Sequence, residues 1–192
     1  MRGGGNDRKR GRAQRGVAII EFALVLPLLV LLGLLTIDFG RLVQSRLIIS
    51  NVSREGGSLA SRQTNVDTTL ATLLTVSARP LDLAGRDGRI IITRLTAGQS
   101  ASKPAPTVAV AVSSGGLAVT SKIGTGRSYY GLTPRMYNHL TYTTANGMAE
   151  ISELTVVEVY YRYRPITPLP RFVSGMLTAD QGGMIVWSKA AF

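Results

Sequence analysis

A chain of 192 residues with 45% hydrophobic content, no cysteine and a single histidine excludes a disulfide scaffold, thiol chemistry and a Cys-ligated metal. The net charge of +11 is unevenly held: residues 1–16 carry Arg2, Arg8, Lys9, Arg10, Arg12 and Arg15 against Asp7, a local +5 that leaves +6 for the rest. The remaining charge is scattered, so the composition argues against a nucleic-acid partner and for a cationic tail flanking a bilayer.

That tail, MRGGGNDRKRGRAQRG, is rich in glycine and arginine, has no apolar periodicity and is expected to be disordered. It leads into GVAIIEFALVLPLLVLLGLLTI, residues 16–37, where the 21 residues from Val17 to Ile37 carry one charge, Glu21, and one proline, Pro27. As a helix they extend about 31 Å, close to the thickness of the hydrocarbon layer. The apolar core is too long for an ordinary secretory signal, and Thr36-Ile37-Asp38 offers no small-residue cleavage site, so the segment reads as a retained anchor. The excess of basic residues before it places the amino terminus in the cytoplasm and the carboxyl-terminal domain outside. Pro27 withdraws one backbone donor and is expected to bend or loosen the helix. A carboxylate one turn into such a segment costs up to roughly 2.5–3.5 kcal/mol, less near an end, and demands a reason.

Beyond the span the helix is expected to continue to about residue 62. Phe39, Leu42, Val43, Leu47, Ile49, Val52 and Leu59 form an apolar stripe, and Gly56-Gly57 is a candidate end or fraying point. A second helix is predicted from Val66 to Ser77, with Leu70, Leu73 and Leu74 inward, Asn65 or Asp67 as cap, and Pro80 preventing continuation. Strands follow at Arg89–Leu95, at Thr107–Val112 and Leu117–Ile123 as a hairpin around Ser113-Ser114-Gly115-Gly116, at Ser152–Tyr163 as a central strand, and at Gly183–Phe192. Gly124–Tyr142 reads as a loop with one helical turn after Pro134. The three prolines in Arg164–Pro170 take the chain out of the sheet. Ser152–Tyr163 and Gly183–Phe192 can pair antiparallel.

Candidate chemistry is sparse. His139 has no ligating companions and reads as a surface or structural residue. Glu153 and Glu158 have opposite parity on their strand, so cross-strand pairing with arginine is expected of them rather than acid–base work. Gly124-Thr125-Gly126-Arg127 lacks phosphate-loop spacing and reads as a turn. Tyr160, Tyr161, Tyr163, Phe172 and Trp187 suggest an aromatic packing cluster.

The junction Gly16-Val17-Ala18-Ile19-Ile20-Glu21-Phe22 resembles the processing site of type IV pilins of the Flp/Tad subclass. Together with Glu21–Leu29, Asp38-Phe39-Gly40-Arg41 and Arg54-Glu55-Gly56 it resembles the TadE-like family of pseudopilins, over about residues 15–57. A weaker echo is Val156-Glu158-Tyr160-Arg162 followed by Pro165-Ile166-Thr167-Pro168-Leu169. Ser53 before, and Gly57-Ser58 after, Arg54-Glu55-Gly56 depart from the family's alanine-and-arginine pattern.

The resemblance implies cleavage after Gly16 by a prepilin peptidase, with Val17 as the new amino terminus. Glu21 then becomes the fifth mature residue and, with Phe22 and Pro27, serves assembly. Positions 17 and 21 share a helical face, so the new ammonium and the carboxylate can pair within a chain or between neighbours.

The expected protein is α+β and pilin-like: a cytoplasmic leader (1–16), an amino-terminal helix (17–62, membrane-spanning to about 37) packed on an extracytoplasmic domain (63–192) with an antiparallel sheet. It is expected to be a structural minor pilin or assembly component of a Tad pilus, not an enzyme, and to need no cofactor. The expected partners are the peptidase, other pilins or pseudopilins, Tad inner-membrane assembly proteins and the lipid bilayer. The alternative is an uncleaved single-pass scaffold with an extracytoplasmic binding domain; an extracytoplasmic enzyme or sensor is a more distant rival.

Overall fold

The first element, α1, is a helix over Asn6–Arg62. The computed structural model describes the backbone of residues 6–62, 65–76, 80–145, 147–166 and 183–192, and the side chains of the helix from Ala18. The helical backbone from Asn6 corrects the expectation of disorder for that part of the tail. Arginine, lysine, alanine and glutamine are good helix formers, and extending an existing helix avoids the nucleation step.

The chain divides into two units. One holds the helix up to Arg41 together with the chain from Pro165; the other holds Leu42–Arg164 and the final strand. In the first unit the helix passes through Pro27 and is exposed along its apolar length, including Ile19, Phe22, Leu24, Leu28 and Ile37.

In the second unit, the rest of α1 and α2 (Val66–Val76) cover one face of a four-stranded antiparallel sheet. The strands are β1 (Gly88–Thr96), β2 (Thr107–Ser114), β3 (Glu153–Tyr163) and β4 (Met184–Ala191), in the order β2-β1-β3-β4. β3 is central, as its two-sided apolar pattern requires. Ile90 and Ile92 of β1, with Val157, Val159 and Tyr163 of β3, pack on Ile49 and Val52 of α1 and Leu70 and Leu73 of α2. Each such fully buried aliphatic chain stabilises the fold by about 1.5–3 kcal/mol relative to exposure. Asn65 caps α2, its Oδ1 accepting from the Asp67 N–H at 2.9 Å.

The buried stripe of α1 differs from the apolar one read in the sequence. Ile49 and Val52 are inside, but Val43 and Leu47 are exposed, and Ser45, Ser53, Gly56, Gly57 and Ala60 are buried in their place. Small residues let the helix lie close to the sheet. Ser53 Oγ is 2.9 Å from Ser188 Oγ of β4. A Cβ on Gly56 would stand 2.6 Å from Leu73 Cδ1 and 3.2 Å from Val157 Cγ1, and one on Gly57 would run into the Phe192 ring. The glycine pair therefore does not end the helix, which runs on to Arg62; close packing outweighs the roughly 1 kcal/mol propensity cost of each.

The opposite face is covered by the chain between β2 and β3. Leu95, Leu154 and Val156 pack with Ile123, Leu132 and Leu140, while Ile91 and Tyr160 pack with Leu117. This layer overturns the predicted hairpin: Leu117–Ile123 forms no strand, and β2 pairs instead with β1. Gly115, at φ 112°, turns the chain off β2 against the backbone of Gly88, where a side chain has no room. The Gly116 N–H then bonds Gly85 O at 2.8 Å and the Leu117 N–H bonds Gly88 O at 3.1 Å. Within this layer α3 (Pro134–Leu140) is longer than the single turn expected, started by Thr133, whose hydroxyl accepts from the Met136 N–H.

Candidate functional site

The apolar half of α1 is the largest uncovered hydrophobic surface among the described residues. Its segment from Ala18 is long and apolar enough to cross a membrane, with a mean hydropathy of 2.7 and none of that window buried. In water this exposure would be untenable; a contiguous apolar surface of this extent marks contact with lipid or with other apolar helices. Glu21 sits on it, exposed, and no ion pair to it occurs among the described residues. Phe22 is exposed beside it and Pro27 lies farther along the same helix. Gly16 and Val17 have helical backbone.

Asp38 closes the apolar run and is 7% exposed. Its Oδ1 accepts the backbone N–H of Ile166 at 3.0 Å, a contact across 128 residues. Sequence reasoning named both Asp38-Phe39-Gly40-Arg41 and Pro165-Ile166 but did not join them; the available signal was a carboxylate placed where the apolar helix ends. The nearby Phe39 points outward, 67% exposed. Thr167, Pro168, Leu169 and Phe172 lie outside the described residues. An Asp38→Ala variant is expected to speed hydrogen exchange of the Ile166 amide by roughly tenfold, the loss of about 1–3 kcal/mol for one charge-assisted bond, while Asp38→Asn, which keeps an acceptor, stays near wild type.

Further predicted positions fall in the second unit. Glu158 is fully buried on β3, opposite Ile91 and Lys189 in register. It does not pair with arginine as expected. Its carboxylate accepts from the Ser121 hydroxyl, from the Lys122 N–H at 2.9 Å and from the Tyr160 hydroxyl at 2.8 Å. Lys189 turns instead to Gly131 O at 2.8 Å. The segment misread as a strand is thus the one that satisfies Glu158. Arg162 and Arg164, near the end of the weaker echo, reach Asp87 at 3.9 and 2.8 Å.

Burial, and then the hydrogen bond and charge of Glu158, hold the Tyr160 phenol well above its usual range. Its folded value is raised above the unfolded one of 10.0, so its contribution is complete below pH 10 and declines above it, as the unfolded chain loses the proton first. The wild type is expected to lose thermal stability between pH 10 and 11.5, more steeply than Tyr160→Phe.

His139 Nδ1 contacts Glu150 Oε2 on the surface, a pairing the sequence reading did not include. No group of three metal-ligating side chains occurs among the described residues. Tyr160 and Trp187 stack with centroids 6.3 Å apart, which realises part of the aromatic cluster.

The basic tail, the exposed apolar helix carrying Glu21 and the Asp38 contact all fall in or beside one stretch. Residues 16–58 match the family model described as TadE-like protein. No curated protein and no solved structure matches the chain. The TadE-like segment begins at Gly16 and ends two residues beyond Gly56, so it takes in the apolar helix, Asp38 and the glycine pair packed under Leu73 and Phe192. The match associates this segment of the chain with Tad pili.

Proposed function

We propose that this protein is a minor pilin or pseudopilin of a Tad pilus, cleaved after Gly16 by a prepilin peptidase and assembled through α1 with its sheet domain outside the inner membrane. The carrying observation is a TadE-like segment that starts at Gly16 and places Glu21 on an exposed apolar helix. Cleavage puts an ammonium on Val17, one turn from Glu21, and neighbouring helices then have one stagger at which carboxylate and ammonium meet. Pro27 leaves the Ala23 carbonyl without its helical donor, a point of bending as subunits pack. Glycine at position 16 weakens the helix locally by about 1 kcal/mol relative to alanine, which helps the chain open into a protease cleft.

The test is the leader itself. A Gly16→Leu variant is expected to keep residues 1–16 and to be absent from sheared pili, whereas the wild type loses the leader and co-purifies with them. Pili containing the uncleaved variant would sink the proposal. A second reading, an uncleaved membrane scaffold, is favoured by one observation: α1 runs unbroken through Gly16, so the bond to be cut lies within regular helix.

A further inference from the structure

We propose that the sheet of one copy continues into the sheet of a second copy of this chain, β4 of the first pairing antiparallel with β2 of the second. The order β2-β1-β3-β4 leaves one edge of each outer strand free. Thr155 and Phe192 exchange both backbone bonds, at 2.8 and 2.9 Å. Counting in twos along the register, Val186, Ser188 and Ala190 bond β3, so the N–H and C=O of Ile185, Trp187 and Lys189 point away from the sheet. On β1, the bond from the Ala97 N–H to Ser152 O turns the odd-numbered residues toward β3 and the even-numbered ones toward β2. Val112 and Ser114 therefore bond β1, and Ala111 and Ser113 turn their N–H and C=O outward. No hydrogen bond to these outward backbone groups occurs among the described residues.

β2, TVAVAVSS, has no charge and no proline, and its one register shift lies before Val110. A free strand of that composition is a template for pairing. β4 is bordered by a groove of about 410 Å³, lined by Arg46 of α1 and Met184–Lys189.

Size and charge select a second copy as the occupant. Ile185 and Trp187 are large, 42% and 39% exposed, and share the sheet face on which Trp187 stacks with Tyr160. Ala111 and Ser113 are small and lie on that same face, Ser113 opposite Ile91, which packs with Tyr160 and Leu117. Three antiparallel steps separate β2 from β4, so they run in opposite directions, and a copy displaced sideways without turning over meets β4 antiparallel. With Ala111 of the second copy opposite Trp187, its Ser113 falls opposite Ile185. On the other face its Val110, 40% exposed, falls opposite Ser188 beside the groove. An uncharged strand also brings no like charge to Arg46 and Lys189. β4 against β4 sets indole against indole and adds the cations of one copy to those of the other. β2 against β2 leaves Ile185, Trp187 and the groove uncovered. One strand pair buries less than the roughly 1,200 Å² of a stable soluble complex, so the contact forms between copies already held close. Because its two sides differ, it is head-to-tail and repeats instead of closing as a twofold dimer. It does not depend on cleavage at Gly16.

The chain has no cysteine, so Ser113→Cys/Ile185→Cys introduces the only thiols. Within one copy the two positions are three strand spacings apart, about 14 Å, too far for a disulfide. Between copies they face each other. Full-length protein reconstituted in liposomes is treated with a mild oxidant and separated by size without reductant. The double variant is expected to give a ladder of dimers and higher multimers, and each single variant a monomer. Adding Ala111→Pro, whose lost N–H faces away from β1, is expected to cut the cross-linked fraction about tenfold at unchanged melting temperature. A double variant that stays monomeric overturns the proposal. Dimers from either single variant in equal yield, the mark of twofold pairing, overturn it too, as does a ladder that survives Ala111→Pro.

Discussion

Glu158→Ala is expected to lower the unfolding free energy of the sheet domain by roughly 3–5 kcal/mol and its melting temperature by about 10–20 °C. The carboxylate accepts from Ser121, from the backbone of Lys122 and from Tyr160, and it is fully buried. Truncation leaves those donors facing a cavity. The serine and tyrosine hydroxyls can rotate toward other acceptors, but the Lys122 N–H is fixed by the chain. An unmet buried donor costs about 1–3 kcal/mol, and the cavity adds a packing loss. Against a typical total of 5–15 kcal/mol this is a large fraction. Glu158→Gln keeps the volume and one acceptor oxygen, so it is expected to lose about half as much. Thermal unfolding of the purified full chain, followed by circular dichroism, measures both. A Glu158→Ala protein that melts with the wild type would show that this network contributes little.

Glu21→Ala is expected to insert into the membrane as well as the wild type, or better, and to fall in assembled pili by at least about tenfold. Removing a carboxylate from an apolar helix relieves an insertion cost of up to roughly 2.5–3.5 kcal/mol at its centre. In the proposed assembly the same change would strand the Val17 ammonium, and breaking a buried pair by deleting one partner costs about 3–5 kcal/mol. The two effects have opposite signs, which separates a role in assembly from a role in anchoring. Glu21→Asp, one methylene shorter, is expected to fall between. Membrane fractions and sheared pili from the same cells give both readings, and normal incorporation of Glu21→Ala contradicts the register argument.

The parts legible in the sequence were those governed by local pattern. A 21-residue apolar run predicts its own helix, and the two-sided apolar alternation of Leu154–Tyr160 predicts a central strand, because each signal resides within the segment that obeys it. Asn65 and Pro80 bracket α2 for the same reason. The misreadings occurred where a distant partner decides. Gly56-Gly57 looks like a helix end until Leu73, Val157 and Phe192 are seen packed against it. Leu117–Ile123 has strand composition, yet it gives its Ser121 hydroxyl and Lys122 N–H to Glu158, more than thirty residues away. Asp38 announces the end of the span, but its partner, the Ile166 N–H, can be found only in three dimensions. The TadE-like resemblance of residues 16–58 was legible because residue types and spacing along one segment carry it.

The central claim, that Gly16 closes a leader and Val17 opens the mature chain, is tested most directly by intact-mass spectrometry of the protein purified from cells with and without active prepilin peptidase. A chain beginning at Val17 is expected when the peptidase is active, and one retaining residues 1–16 when it is not. A chain that keeps Met1–Gly16 in both cells would contradict it and leave the uncleaved membrane scaffold as the standing reading.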